Sequence, residues 1–329
     1  MHLHPFVLVF ALGMGSFMAL SLTSSRAQAW GRRGHQIVGE TAARVVAGEP
    51  GAGFMKDRSF DFGYYSNVPD LIWKKPQTYE KERGEHFMDM EIFNRAFAKK
   101  KDIKEPFKLS RAEFEARFPE LGLDAGRAFW RIRELNENLE KVAAELRQLK
   151  VKKGSDRRKL QEKWLVLAGT LGHYVGDLGQ PLHLTENYDG QMTGQKGVHS
   201  YFEDDVVEEL YPELAVKVDE RTRKSWPGFK EKNANRTVLE LVEQLSKNAS
   251  EDLKTVLSLD KRSRPKGRSD AKSLSRNAKR FESIIEERLT DSSLTLAEIY
   301  RRQLGWDFDG ERFFFFAGEP DYLEPGAVP

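Results

Sequence analysis

The chain has 329 residues, 39% of them hydrophobic, enough to bury a substantial core as one large domain or one domain with insertions. Its 53 basic and 51 acidic residues leave a formal charge of +2, so no overall field draws it to nucleic acid or to an anionic membrane, and any basic patch is local. With no cysteine, a disulfide scaffold and a cysteine nucleophile are both excluded.

Residues 6–23 form an apolar run, followed by Ser24-Ser25-Arg26-Ala27-Gln28-Ala29 and Trp30. An apolar core ending in Ala27-x-Ala29 has the form of a secretory signal, so residues 1–29 are expected to be a signal peptide cleaved after Ala29, placing the mature protein in the periplasm or outside the cell. His2 and His4 stand where such signals carry Lys or Arg, and the run is just long enough to act instead as a permanent anchor. Residues 30–329 are expected to form a single helical domain.

Along that domain the apolar period is helical. Ile37, Val38, Ala42, Val45 and Val46 follow His35 at helical spacing, and Trp164, Leu167, Ala168, Leu171 and Val175 make a second stripe. Phe129–Lys150 and Thr237–Leu259 read the same way, and no segment sustains a period of two, so an all-α fold is predicted. Lys99–Phe107 and Lys150–Lys159 read as charged, solvated connectors or insertions. Leu259–Arg280, with nine Lys or Arg and two Asp, reads as a mobile soluble loop or as a phosphate-binding arm. Phe313 to Phe316 suit either a buried terminus or a lipid wedge.

Five histidines lie beyond the signal: His35, His86, His173, His183 and His199. His173 and Asp177 are four apart on a predicted helix, so both project from one face, and His199 and Glu203 repeat the arrangement. An imidazole nitrogen and a carboxylate oxygen one turn apart can close on the same cation, and zinc accepts that mixture. One such pair is often a surface ion pair; two, with His183 held behind Pro181 between them, point to metal. Asp70, and His86 with Asp89 beyond it, lie upstream, and cleavage would make Trp30 a free terminus able to chelate through its amino and carbonyl groups, a short way from His35.

Trp30-Gly-x-x-Gly-His35, the following Asp70, His86-Phe87-x-Asp89, His173-x-x-x-Asp177-x-x-x-Pro181-Leu182-His183 and His199-x-x-x-Glu203 together resemble the superfamily of zinc-dependent single-strand-specific nucleases and zinc-dependent phospholipases C. The motifs span residues 30–203; most of the C-terminal third carries none. The resemblance implies a helical domain around three zinc ions. Asp70, His86, His173 and Asp177 would hold the first, His183, His199 and Glu203 the second, and the Trp30 amino and carbonyl groups, His35 and the other oxygen of Asp177 the third. Asp177 and Asp70 become the catalytic carboxylates of an exported phosphodiesterase.

Clustered zinc suits that reaction, because water shared by cations loses its proton near neutral pH and a further cation stabilises the departing alkoxide. The five-residue step from Trp30 to His35 resembles the nucleases, whereas Glu203 as the last ligand looks more like the phospholipases. Phe87 and Asp89 suit a stacking ring and a base-edge acceptor, though Phe87 could equally be core. Trp73 stands where the nucleases commonly place an arginine for the phosphate, so either Lys74 or Lys75 substitutes for it or the contact is lost. Gly197-Val198 also precede His199 where the nucleases tend to have an asparagine. A nuclease acting on single-stranded DNA or RNA is the leading expectation, with a phospholipase C acting on phospholipid, or a catalytically inert zinc protein, as alternatives. No obligate protein partner is inferred.

Overall fold

A computed structural model describes residues 30–74, 78–150, 154–263 and 271–308. The expected signal peptide, Lys75, residues 264–270 of the basic segment and the phenylalanine run lie outside the described residues. Among those described, every regular element is helical and the lone strand-like feature is a bridge between Met88 and Gly126. No described helix is long and apolar enough to cross a membrane.

In chain order the α-helices are α1 (Gly31–Val46), α2 (Phe54–Asp57), α3 (Ser59–Tyr65), α4 (Tyr79–Glu82), α5 (Met90–Phe97), α6 (Arg111–Arg117), α7 (Ala128–Gln148), α8 (Ser155–Leu178), α9 (Val198–Ser200), α10 (Val206–Leu210), α11 (Glu213–Asn233), α12 (Val238–Ser263) and α13 (Ala271–Arg302). The four apolar stripes read from the sequence fall in α1, α7, α8 and α12. Thr237 starts α12 with a capping box: its hydroxyl accepts from the Glu240 amide at 3.2 Å, and its own amide donates to the Glu240 carboxylate at 2.7 Å.

Two connectors are shorter than the sequence suggests. Residues 155–159 belong to the start of α8, where Asp156 complements the helix dipole and buried Arg157 donates to the Leu146 carbonyl. The expected loop over Leu259–Arg280 is helical on both flanks, because α12 runs to Ser263 and α13 is under way from Ala271; the Asn277 amide ties the two by donating to the Ser263 carbonyl at 2.8 Å. The charges of that segment had masked its helical period.

α8 is the centre of the fold. From Trp164 to Leu178 every residue is buried, so this helix meets protein on all sides, with α7, α3, α1 and α13 packed on it. Glycines let the neighbours come close: a Cβ on Gly169 would lie 2.4 Å from the Cβ of Tyr65, and one on Gly172 would lie 2.7 Å from the Ser66 hydroxyl. α1 meets α3 the same way, since a Cβ on Gly39 would stand 2.7 Å from the Phe62 carbonyl oxygen. The Ser66 hydroxyl lies 2.9 Å from the Gly169 carbonyl, locking α3 to α8. That contact carries the Ser66 carbonyl to His173, where the site begins.

Candidate metal centre

His173 and Asp177 project from one face of α8, as their spacing predicts, and both are fully buried. His35 comes from α1 and His86 from the 3-10 turn Arg83–His86. His183 lies in the 3-10 turn Pro181–Leu184 and His199 in α9. Asp70 and Glu203 each sit on a single π-helical turn, Pro69–Trp73 and Tyr201–Asp205. Such turns bulge a helix locally and recur at functional sites. The sequence reading of His199 and Glu203 as a plain α-helical pair is corrected on this point, yet the pair still meets, with His199 Nε2 2.8 Å from Glu203 Oε2.

These side chains form three buried groups that could hold metal ions: His35 with His173 and Asp177; Asp70 with His86 and His173; and His183 with His199 and Glu203. Asp177 joins them. Its Oδ2 lies 3.0 Å from His86 Nδ1 and 3.3 Å from His173 Nε2, while its Oδ1 lies 3.4 Å from His35 Nε2 and 3.9 Å from His183 Nδ1. The ring of His173 also stacks on that of His35 at 3.9 Å between centroids, so His173 borders two groups where the resemblance gave it one.

Hydrogen bonds fix which nitrogens are free to ligate. His173 Nδ1–H donates to the Ser66 carbonyl at 2.7 Å, and His183 Nδ1–H donates to the His86 carbonyl at 2.7 Å. In each neutral ring the other nitrogen then carries a lone pair. Those lone pairs point at further nitrogens: His173 Nε2 is 2.8 Å from His86 Nδ1, and His183 Nε2 is 3.1 Å from His199 Nε2. Convergent imidazole lone pairs with carboxylates beside them are what a cation requires, and the backbone carbonyls behind the rings are the usual outer support of such ligands.

The electrostatics agree. Burial, reinforced by neighbouring positive charge, holds His86 and His173 well below the ordinary imidazole range, and burial lowers His183 and takes His199 to about 4, so all four rings are neutral at physiological pH. Burial and then the charge of Asp70 push Asp177 well above the carboxylate range, and burial raises Glu203 to about 7. Asp70 goes the other way: burial would raise it, but the adjoining Lys74 ammonium is the largest of the effects that outweigh this and lower it. Three carboxylates without water cannot all stay charged against one lysine, and a divalent cation removes the conflict.

Of the remaining expected residues, Trp30 is buried, its indole 5.6 Å from the Phe202 ring. Its backbone has φ 35, and its carbonyl accepts from the Gly34 amide at 3.0 Å. A Cβ on Gly176 would lie 3.0 Å from His35 Nδ1 and 3.7 Å from Trp30 Cδ1, which sets both beside Asp177. Lys74 is turned inward, with Nζ 2.5 Å from Asp70 Oδ1. Phe87 is half-buried, and Asp89 is 8% exposed at the start of α5. Burial and then Glu91, Glu186 and Asp124 raise Asp89 to about 7, so it is only partly charged near neutrality.

Some residues at the centre went unread in the sequence. Gln180 donates to Glu203 at 3.1 Å from within the motif itself. Tyr188 is 47% exposed with its ring 6.0 Å from that of His199, presenting an apolar surface at the rim. Glu82 stands one turn before His86 with Oε1 3.3 Å from His86 Nε2, and the four-residue rule that found His173 and Asp177 would have found it too. Against the outer side of Glu203 lies a cavity of about 340 Å³ lined by Arg32, Arg33, Leu71, Asp204 and Glu208 among others. No family model and no curated protein matches the chain.

Proposed function

We propose that the protein is an exported zinc-dependent phosphodiesterase, a nuclease for single-stranded DNA or RNA. The observation that carries this reading is the placement of Asp177, whose two oxygens face different groups of buried nitrogens within 4 Å. Asp70, His86, His173 and Asp177 would hold one ion, His183, His199 and Glu203 a second, and His35, Asp177 and the terminus at Trp30 a third. Zinc bound there supplies a water acidified to a pKa of about 7 and positive charge for the leaving oxygen. The neutral histidines offer lone pairs, Asp177 holds the groups in register, and the absence of exposed polar surface at His35, His173 and Asp177 excludes bulk water.

Of the two lysines the sequence offered, Lys74 is the one we assign to phosphate, because its ion pair with Asp70 keeps its ammonium at the centre, where an incoming phosphodiester could replace that oxyanion with another. Tyr188, and Phe87 beside His86, offer stacking rings for bases. A second reading as a phospholipase C has one observation in its favour. The cavity beside Glu203 carries Asp204, Asp205 and Glu208 against Arg32 and Arg33, with Arg33 paired to Glu208, and this excess of carboxylates suits the ammonium of a zwitterionic headgroup better than a second phosphate. Incubation with denatured DNA, RNA and a phosphatidylcholine emulsion, each with and without chelator, separates the readings. We expect chelator-sensitive cleavage of the nucleic acids; hydrolysis of lipid alone selects the second reading, and no hydrolysis of any of them overturns both.

A further inference from the structure

Resting on the metal reading above, we propose that Glu82 is a positioning residue that accepts the Nε2 proton of His86 and so keeps Nδ1 free for metal. His86 differs from His173 and His183. Those two are held through Nδ1 by backbone carbonyls and present Nε2, whereas His86 presents Nδ1 to the group and turns Nε2 toward a carboxylate, Glu82 Oε1, at 3.3 Å.

The choice matters because two tautomers of His86 compete. With its proton on Nδ1, His86 can donate to His173 Nε2 at 2.8 Å or to Asp177 Oδ2 at 3.0 Å, and the metal-facing lone pair disappears. With the proton on Nε2, Nδ1 is open; Nε2 makes no hydrogen bond in this structure, and Glu82 Oε1, 3.3 Å away, is the carboxylate oxygen onto which a small turn of the ring would bring that proton. A backbone carbonyl is a neutral acceptor; a carboxylate is a stronger one and makes the imidazole a better donor to metal.

Glu82 is built for the task. It is fully buried at the end of α4, and Tyr174 of α8 donates its hydroxyl to the same oxygen that faces His86. Arg131 of α7, also buried, supplies the opposite charge from a slot between two rings, with its guanidinium 5.3 Å from the Tyr174 ring and 5.8 Å from the Trp73 ring. Arg131, Tyr174 and Glu82 thus form a fixed support behind one ligand, reaching from α7 through α8 and α4.

The test uses the full chain, zinc affinity by competition with a chromophoric chelator, and cadmium-113 NMR of histidine-labelled protein, which reads the bonded nitrogen directly. We expect cadmium on His86 Nδ1, an Nε2 proton protected from exchange, and roughly 10- to 100-fold weaker zinc binding at one site in Glu82→Gln, the range for loss of an outer-shell partner. Tyr174→Phe, which keeps the carboxylate, should lose less. Wild-type protein that binds no zinc overturns the metal reading and this inference together. Wild-type protein that binds zinc while Glu82→Gln binds it equally tightly overturns the inference alone, as does cadmium bonded to His86 Nε2. The cadmium measurement needs no variant, so it decides even if Glu82→Gln does not fold.

Discussion

Each oxygen of Asp177 faces its own set of ring nitrogens, and an asparagine in its place would offer one oxygen and a donor that repels a cation. Asp177→Asn should therefore lower turnover by orders of magnitude more than Asp89→Asn, which is set back at the start of α5; equal losses in steady-state assays would remove Asp177 from its joining role. Asp89→Asn has its own signature. Because Asp89 titrates at about 7 in the fold against 3.8 as an unperturbed group, its contribution to stability is complete below about 3.8 and is lost as pH rises through about 7. The variant should accordingly melt higher than wild type at pH 8 and show no such advantage at pH 4. At this scale the sequence was readable where spacing alone brings groups together, as for His173 with Asp177. It was only half readable where a residue's meaning depends on burial: the same spacing pairs Glu82 with His86, but in a run of Glu, Lys and Arg it looks like solvated surface, and only the fold shows it buried behind the ring.

At the level of helices, the close seams among α1, α3 and α8 explain glycines that periodicity treats as weak points. Gly39→Ala would drive a methyl to within 2.7 Å of the Phe62 carbonyl oxygen and 2.6 Å of the Ser66 hydroxyl, so α3 must move. We expect a loss of about 1–3 kcal/mol in chemical denaturation, typical of overpacking, and weaker zinc binding because the Ser66 carbonyl that orients His173 moves with α3. Gly228→Ala, inside α11 with nothing within 4 Å of the new methyl, should instead gain about 1 kcal/mol from helix propensity. Similar effects from both would show that the seam is not tight. The α-helices were legible because their apolar stripes keep the 3.6-residue period. The π-helical turns carrying Asp70 and Glu203 were not, since one inserted residue leaves no signal in a short polar stretch.

Across the whole molecule, the candidate ligands come from the start of α1, from α8 and α9 and from the short turns around them, separated by as many as 173 residues between Trp30 and Glu203 (203 − 30). Their convergence was foreseen from a motif set. No local pattern could give it, because it depends on α8 being enclosed by its neighbours, and with no matching family model or curated protein the geometry carries the argument. That geometry predicts how pH and zinc act together. Without metal, the raised carboxylates count against the charged fold: Glu203 titrates at about 7 and Asp177 well above its ordinary value, so their contribution is present below the unfolded carboxylate range and declines as pH rises through about 7 and beyond. The depressed histidines act in the opposite sense, through 6.5 and fading by about 7.5, where the unfolded chain takes up protons that the folded chain refuses. Above about pH 7.5 the histidines are largely neutral in both states and the carboxylates alone set the slope, so the zinc-free protein should lose stability as pH rises from about 7.5. Zinc binding takes the protons from Asp177 and Glu203 and strengthens as the solution becomes more alkaline, so the loaded protein should not share that loss. Melting curves recorded with zinc and after chelation should diverge across this window, the gap in Tm widening with pH. A gap that stays constant or narrows would mean that the buried carboxylates do not exchange protons for metal, and the cluster would then have to be held together by the fold alone.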